Sequence, residues 1–245
     1  MTSIYFKNAP EYKQFAGLNN IYFHIHKTYS KGGQRERHVT HYPLARMIAR
    51  GDLARRGVFK TFEEESTILL CNAKIYTKRF DILAITKDSD ILLIECKFRT
   101  RSEKSRRQAL SKIGKATEQL NEYCSAFIDF ASSINGNYIQ EWSNVINHRY
   151  RKFGFPSLQE RLSTVIGLQN EAEQERWAIR VTDNIKAKRF SCGLAINESP
   201  DGEVASYSTI PVITLLDSAR KHWNKKYGNL MLFKVDHLKD AFRLF

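Results

Sequence analysis

The sequence lacks any apolar stretch that approaches the length of a membrane-spanning helix. Its N-terminus also lacks the uninterrupted apolar region of a secretory signal, because Lys7, Glu11 and Lys13 break it up. We find no internal repeat and no low-complexity tract. These absences predict a cytoplasmic globular protein that makes no contact with a membrane.

Cysteine is scarce, and the four cysteines lie far apart, at Cys71, Cys96, Cys124 and Cys192. They form neither a CxxC pair nor a zinc-binding pattern. Reduced cysteines in a cytoplasmic protein fit this spacing best. For Cys96 the favoured interpretation is a small buried hydrophobic residue.

Acidic residues are outnumbered, with 26 Asp and Glu against 39 Lys and Arg, which gives a net charge of +13. Such an excess favours a polyanionic partner. The 245 residues suffice for one sizeable domain or a domain with an insertion. The hydrophobic fraction of 42% is ordinary for globular proteins, so disorder is not favoured.

Two apolar runs, 82–85 and 91–94, each adjoin an acidic residue, Asp81 and Glu95. The short polar loop between the runs predicts an antiparallel hairpin. Side chains alternate between the faces of a strand, so Glu95 and Lys97 share one face. Burying unpaired charge is costly, and charged residues in such a setting usually have a partner.

The register of this hairpin decides whether the acidic residues meet. If Thr86 pairs with Asp90, a three-residue loop remains and Asp81 lies directly opposite Glu95, with Cβ atoms about 5 Å apart. A four-residue loop would place Asp81 opposite Cys96 instead. We expect a loop with an odd number of residues.

The predicted cluster is a site of hard oxygen ligands. The carboxylates of Asp81 and Glu95 and the backbone carbonyl of Cys96 suit Mg²⁺ or Mn²⁺ better than zinc. Lys97 could position or deprotonate a water molecule, or stabilise charge on a phosphoryl oxygen. The alternative is a strand-edge Asp and a solvated Glu-x-Lys face, but both runs look buried on both faces.

Asp81…Glu95-Cys96-Lys97 resembles the Asp…(Asp/Glu)-x-Lys signature of the PD-(D/E)XK nuclease superfamily. Phe80 stands where a Pro usually precedes the first Asp. Downstream, Gln119 and Tyr123 look like the Gln-x-x-x-Tyr motif of the RecB-like branch. That resemblance implies that both orient substrate from a helix. Without it, they belong to an ordinary amphipathic helix.

The same resemblance implies a further ligand on the first helix, which is acidic in many members of the superfamily and His in some RecB-like ones. His41 is the candidate, with His38 as an alternative. The acidic residues 63–65 could compete for that role. The sequence indicates that this helix begins near Thr40, as N-cap, and has Pro43 in its first turn.

A strongly basic segment follows Lys97 and leads into a long amphipathic helix over about 102–134. It is interpreted as a surface for the nucleic-acid backbone, with a solvated helix face as the alternative. The predicted phosphate contacts are Arg99, Arg101, Lys104, Arg106, Arg107, Lys112 and Lys115.

The expected fold is α/β, with a restriction-endonuclease-like core of a central mixed sheet flanked by helices. Residues 1–37 are expected to form a basic extension and residues 38–245 the nuclease domain, with a mostly helical insertion at about 135–188. The region 204–213 is expected to be extended, and a short helix is expected to end the chain. A strand is expected near 190–197 and another at 230–235.

The expected function is a Mg²⁺- or Mn²⁺-dependent DNA nuclease that hydrolyses phosphodiester bonds. A non-cleaving nucleic-acid-binding module of the same fold and an RNA endonuclease are the alternatives. The sequence has no GxxxxGK[ST] motif, so an ATP-driven step would need a partner protein that supplies ATPase or targeting function. Restriction, phage defence, transposition and repair would all fit.

Overall fold

A mixed β-sheet with helices on both faces forms the centre of the protein. The computed structural model describes residues 21–23, 36–71, 74–75, 78–101, 105–150, 157–202 and 204–245. The strands of the main sheet are β1 (Ile21–Phe23), β2 (Thr67–Cys71), β5 (Ile82–Thr86), β6 (Ile91–Lys97), β7 (Ser191–Asn197), β8 (Leu230–Asp236) and β9 (Ala241–Leu244). β3 (Lys74–Ile75) and β4 (Lys78–Arg79) form a separate two-stranded ribbon.

The strand order in the main sheet is β1-β2-β5-β6-β7-β8-β9. β6, β7 and β8 are parallel, whereas β2, β5 and β6 pair antiparallel, as do β8 and β9. β1 pairs parallel with β2 and lies within the range predicted to be an N-terminal extension. The α/β class with a mixed sheet is confirmed, while the closer likeness to a restriction-endonuclease core stays a prediction.

The helices follow the apolar periodicity of the sequence. They are α1 (Tyr42–Ala49), α2 (Asp52–Arg55), α3 (Arg106–Ser133), α4 (Tyr138–Tyr150), α5 (Leu158–Thr164), α6 (Glu171–Lys186) and α7 (Val212–Arg220). A π-helical turn, Arg37–His41, leads directly into α1, and 3₁₀ turns occur at Glu64–Ser66 and Lys225–Tyr227. No helix within the described ranges is both long and apolar enough to cross a membrane.

Alternation along β5 and β6 divides the core into two parts. Leu83 and Leu93 pack on one side with the long helix α3, and we call this side the α3 face. Ala84 and Leu92 pack on the other side with α1, which we call the α1 face. Because both faces are covered, the two strands are apolar throughout and only their ends carry charge.

The predicted hairpin register is confirmed. Ile82 pairs with Ile94 and Ile85 with Ile91, and the Thr86 N–H donates to the Asp90 carbonyl at 3.0 Å. The loop therefore has three residues, and Ser89 in it has a φ of 72°. The next pair in this register is Asp81 with Glu95.

α3 confirms the predicted long amphipathic helix, and the region 138–186 is mostly helical as expected. Ser105 caps α3 through a reciprocal capping box with Gln108. α6 packs on α3 and also holds the hairpin loop. Its Trp177 Nε1 donates to the Thr86 carbonyl and its Asn184 Nδ2 to the Ser89 carbonyl, both at 2.9 Å.

The first helical segment begins earlier than predicted. The π-helical turn already includes Thr40, so this residue is not an N-cap. Its hydroxyl instead donates to the Lys97 carbonyl at 3.1 Å. A contact with a residue distant in sequence thus replaces the local capping role.

Strands β7 and β8 confirm the predictions made for 190–197 and 230–235, but two other expectations were wrong. The region 204–213 is irregular and turns into α7 at Val212, because side-chain bonds hold its backbone, such as Asn197 Nδ2 to the Ala205 carbonyl at 2.6 Å. The chain ends in strand β9 instead of a helix. The side chain of Phe242 packs on Phe233, and β9 takes its hydrogen bonds from β8.

Candidate functional site

Asp81 directly precedes Ile82, the first residue of β5, and lies beside the end of the neighbouring strand β6. Its Oδ2 accepts a hydrogen bond from the Cys96 N–H at 2.8 Å. The side chain thus bonds β6 at a position where the β5 backbone no longer pairs with it. In an antiparallel pair the N–H and C=O of one residue point to the same neighbouring strand. The carbonyl of Cys96 therefore points toward the side on which Asp81 lies.

Glu95 and Lys97 lie at the end of β6, and their side chains project on the α3 face. Glu95 is 1% exposed, and its Oε1 accepts a hydrogen bond from Lys97 Nζ. Its other oxygen, Oε2, is buried and has no hydrogen-bond partner among the described residues. A buried carboxylate oxygen without a partner is costly, so this atom is available to a ligand.

Negative charge is in excess at this point. Burial and the nearby Asp81 raise the pKa of Glu95 well above its usual range, against the opposing effect of Lys97. Burial alone would lower the pKa of Lys97, but Glu95, Glu36 and Asp81 together outweigh it and hold that pKa above its usual range. Both shifts have the cause expected where several carboxylates surround one ammonium.

Glu36 is a member of this cluster that the sequence did not reveal. Burial raises its pKa to about 7, with Lys97 opposing and Asp81 adding to the shift. It directly precedes the π-helical turn, which packs on β6, β7 and β8. The sequence signal was an acidic residue one turn before Thr40, but that position fell in the range assigned to the extension.

His41 reaches the same place from the α1 side. It is 1% exposed, and burial lowers its pKa to about 4, although Asp81 opposes this through its charge and a backbone hydrogen bond. Nε2 of His41 is buried without a hydrogen-bond partner in the described part of the chain. A neutral imidazole with one nitrogen bonded to backbone and the other unpaired is the usual state of a metal-ligating His.

The acidic alternatives at 63–65 do not share this position. The three Glu residues at 63–65 are exposed and precede β2 at Thr67, which pairs with Thr86 at the loop end of the hairpin. They therefore lie at the opposite end of the hairpin from Asp81. His38 packs its ring edge-on against Tyr42, with ring centroids 6.2 Å apart.

Gln119 and Tyr123 lie one turn apart on α3, and Gln119 Nε2 donates to the Tyr123 hydroxyl. Tyr123 is 5% exposed and packs edge-on against Phe80, the residue before Asp81. Burial and the charge of Glu95 raise the pKa of Tyr123, so its hydroxyl keeps its proton. The structure thus brings this pair to the same cluster as Asp81, Glu95 and Lys97.

The basic residues divide into two groups. Arg99 Nη1 donates to the Ser206 carbonyl and to Thr209 Oγ1, and Arg106 Nη2 donates to Thr214 Oγ1. These two side chains therefore hold the segment before and within α7. Lys104 lies outside the described residues.

A second group of cations faces solvent beside the cluster. Arg101 is exposed in the turn after β6. An open depression of about 410 Å³ on α3 is lined by Arg107, Gln108, Ser111, Lys112 and Lys115. Lys112 Nζ also donates to the Phe98 carbonyl at 2.6 Å, which joins this depression to the end of β6.

The carboxylate and carbonyl oxygens in this cluster suit a hard divalent ion such as Mg²⁺ or Mn²⁺. The orphaned Oε2 of Glu95 is the clearest observation in favour. No three His, Cys, Asp or Glu side chains in the described ranges are grouped closely enough to hold a metal on their own. The carbonyl of Cys96, or an approach of Glu36 or His41, would have to complete the coordination.

Comparison of the chain with protein-family models, with curated proteins and with solved structures finds no match.

Proposed function

We propose that this protein is a metal-dependent nuclease that hydrolyses phosphodiester bonds in DNA, with its chemistry at Asp81, Glu95 and Lys97. The observation that carries the proposal is the hairpin register, which sets Asp81 opposite Glu95 at the end of the sheet. Two carboxylates and an ammonium group then lie at the same end of the sheet. In a protein with a net charge of +13, this concentration of negative charge calls for a cation as partner.

Asp81, Glu95 and the Cys96 carbonyl would hold Mg²⁺ or Mn²⁺, with His41 or Glu36 as a further ligand. The ion would polarise a phosphoryl oxygen and acidify a bound water. Lys97 would position or deprotonate the attacking water, or stabilise charge on the phosphoryl group.

Substrate would lie along the solvent-facing side of α3. Lys112, Lys115 and Gln119 follow one another at helical spacing, and four residues of helix advance by about 6 Å. This line leads from the basic depression to the Gln119–Tyr123 pair. Phosphate contacts of this kind position a nucleic acid without reading its sequence.

Arg107, Lys112 and Lys115 are therefore the proposed backbone contacts on α3, and Arg101 is a further one. Arg99 and Arg106 would act indirectly, by holding the segment that they bond near Ser206 and Thr214. Gln119 would bind a phosphate or the attacking water, while Tyr123 holds its amide in place.

Cleavage of plasmid and linear DNA with Mg²⁺ or Mn²⁺ tests the proposal, and Lys97→Ala is the main variant. The sheet offers a matched control in Lys234, because Ile196 pairs with both Lys97 and Lys234 and so aligns all three across the sheet. Lys234 is also buried, and its Nζ lies 3.4 Å from a Glu198 oxygen. We expect Lys97→Ala to abolish cleavage and Lys234→Ala to retain it at a temperature where both are folded.

A second readout does not depend on cleavage. Mg²⁺ or Mn²⁺ should raise the thermal unfolding temperature of the wild type, since an ion that binds only the folded state stabilises it. Glu95→Gln should lose this increase. Equal cleavage by Lys97→Ala and wild type would refute the mechanism.

A non-cleaving nucleic-acid-binding module is the second candidate. The observation that favours it is the absence of three convergent metal-binding side chains among the described residues, together with the internal pairing of Glu95 and Lys97. DNA binding without cleavage under any divalent metal would support this alternative. Parallel RNA substrates distinguish a DNA nuclease from an RNA endonuclease.

A further inference from the structure

A second basic depression lies at the other end of the sheet from the candidate site. It measures about 710 Å³ and is formed by the end of α7, the following 3₁₀ turn and the start of β8. Three cations line it, Arg220, Lys221 and Lys225, with Asp217 as the only acidic residue among the lining side chains.

These three cations are exposed and make no hydrogen bond or ion pair through their side chains with any residue that the structure describes. By contrast, Arg46 and Arg50 both bind Asp240 at 2.6 Å. In the depression three positive charges converge beside one lining carboxylate, that of Asp217, and none of the three forms an ion pair with it.

The dipole of helix α7 does not account for the presence of all three cations. The C-terminus of a helix carries the equivalent of about half a negative charge, which favours one nearby cation. The remaining like charges repel each other at low ionic strength. A bound anion would relieve this repulsion.

The walls of the depression are fixed in place. Trp223 is 8% exposed and its Nε1 donates to the Gly228 carbonyl at 2.7 Å, while Gly228 has a φ of 81° that favours glycine. Lys226 lies over the ring of Tyr227, 4.8 Å from its centroid, and adds a fourth cation nearby. A rigid basic concavity of this kind suits an extended polyanion with regularly spaced charges.

We propose that Arg220, Lys221 and Lys225 form a second contact surface for the phosphate backbone of duplex DNA. Leu230, on its rim, lies four residues along β8 from Lys234 and packs on the α3 face. At about 3.3 Å per residue and 4.8 Å per strand, Leu230 is about 16 Å from Lys97. DNA held at the candidate site reaches the second surface only if it extends at least about 5 base pairs further.

The second contact surface does not depend on the proposed cleavage activity. DNA binding is therefore measured with the full-length protein in the presence of a chelator, which prevents metal-dependent cleavage. The test variant carries Arg220→Gln, Lys221→Gln and Lys225→Gln. The matched control carries Arg176→Gln, Lys60→Gln and Lys87→Gln, which remove the same charges from exposed positions elsewhere. The probes are duplexes of about 6 and about 25 base pairs over a series of salt concentrations.

On the longer duplex, the loss of each phosphate contact should reduce the steepness of the plot of log K, the binding constant, against log salt concentration by about 0.9. At about 0.1 M salt, the loss of each contact should weaken DNA binding by at most about eightfold. We expect this loss for the test variant alone, and little difference from the control on the short duplex. Unchanged slopes, an equal loss in the control, or no binding of duplex DNA by the wild type would each overturn the proposal.

Two further outcomes are decisive. If the test variant loses binding to anionic phosphatidylserine vesicles but keeps its affinity for DNA, the surface serves a lipid headgroup and the proposal is wrong. If the test variant alone shows the reduced slope and the wild type never cleaves DNA, the second surface stands and the proposed nuclease activity fails.

Discussion

Glu36 directly precedes the π-helical turn and His41 is its last residue, and the pKa values of these two residues shift in opposite directions. The pKa of His41 falls from its ordinary 6.5 to about 4, so the unfolded chain binds this proton first and the folded state loses stability as the pH falls from 6.5 to 4. The pKa of Glu36 rises from 4.5 to about 7, so the folded state holds this proton longer and loses stability as the pH rises from 4.5 to 7.

Each effect amounts to about 3 kcal/mol over its full range, since one pH unit is worth about 1.4 kcal/mol. Between pH 4.5 and 6.5 the two slopes have opposite signs and nearly cancel. The wild type should therefore show little dependence on this pair. A variant of either residue alone removes one of the two pH dependences, so the other becomes visible in the free energy of unfolding.

We expect Glu36→Gln to gain stability relative to wild type as the pH rises from 4.5 to 6.5, by about 1.4 kcal/mol per unit at most. His41→Gln should lose stability relative to wild type over the same interval. The comparison with wild type matters because the raised pKa of Glu95 adds a slope of the same sign as that of Glu36 to every variant.

Urea unfolding followed by circular dichroism, at several pH values in the presence of a chelator, measures these free energies. The double variant, Glu36→Gln with His41→Gln, should again resemble the wild type in its pH dependence. Parallel stability curves for all four proteins would show that neither group is buried as described, and the electrostatic account of the site would fail.

Two further predictions concern the sheet. Inserting one glycine between Asp81 and Ile82 keeps the pairs of β5 with β6 but moves Asp81 out of its position opposite Glu95, which should abolish metal-dependent cleavage while DNA binding persists. A cleavage assay beside a binding titration checks this, and retained cleavage contradicts it. Gly193→Ala should destabilise the protein by about 1–3 kcal/mol, because the new Cβ would lie 2.5 Å from the Phe233 ring. Gly114→Ala should lower the thermal unfolding temperature less, because the new Cβ would contact only the ring of His222, an exposed side chain that can move.

The hairpin was predictable from sequence because its determinants are local. Alternation determines which side chains share a face, and the short polar loop between the two apolar runs indicates the hairpin. The stripe of α3 was predictable for the same reason. Strand β9 was not, since its four residues acquire their structure only by pairing with β8.

Glu36 was missed for a reason that local patterns do not reveal. The sequence predicts that the helix begins at Thr40, a good N-cap residue, yet the Thr40 hydroxyl donates to the carbonyl of Lys97, which is 57 positions away. The hydrogen bonds of Arg99 and Arg106 could not be predicted from local patterns for the same reason. They hold the segment leading into α7, while phosphate contacts by these two residues stay a prediction.

The end of β6 shows how the fold places an amine beside acids without relying on one element. Three successive residues are held from three sides, by Thr40 at the Lys97 carbonyl, by Lys112 at the Phe98 carbonyl, and by Asn197 at the Arg99 N–H, at 3.1, 2.6 and 2.8 Å. Since these bonds come from the π-helical turn, α3 and β7, the direction of Lys97 depends on the whole core. A local change on any one of these elements should alter the electrostatics at Glu95 before it unfolds the protein.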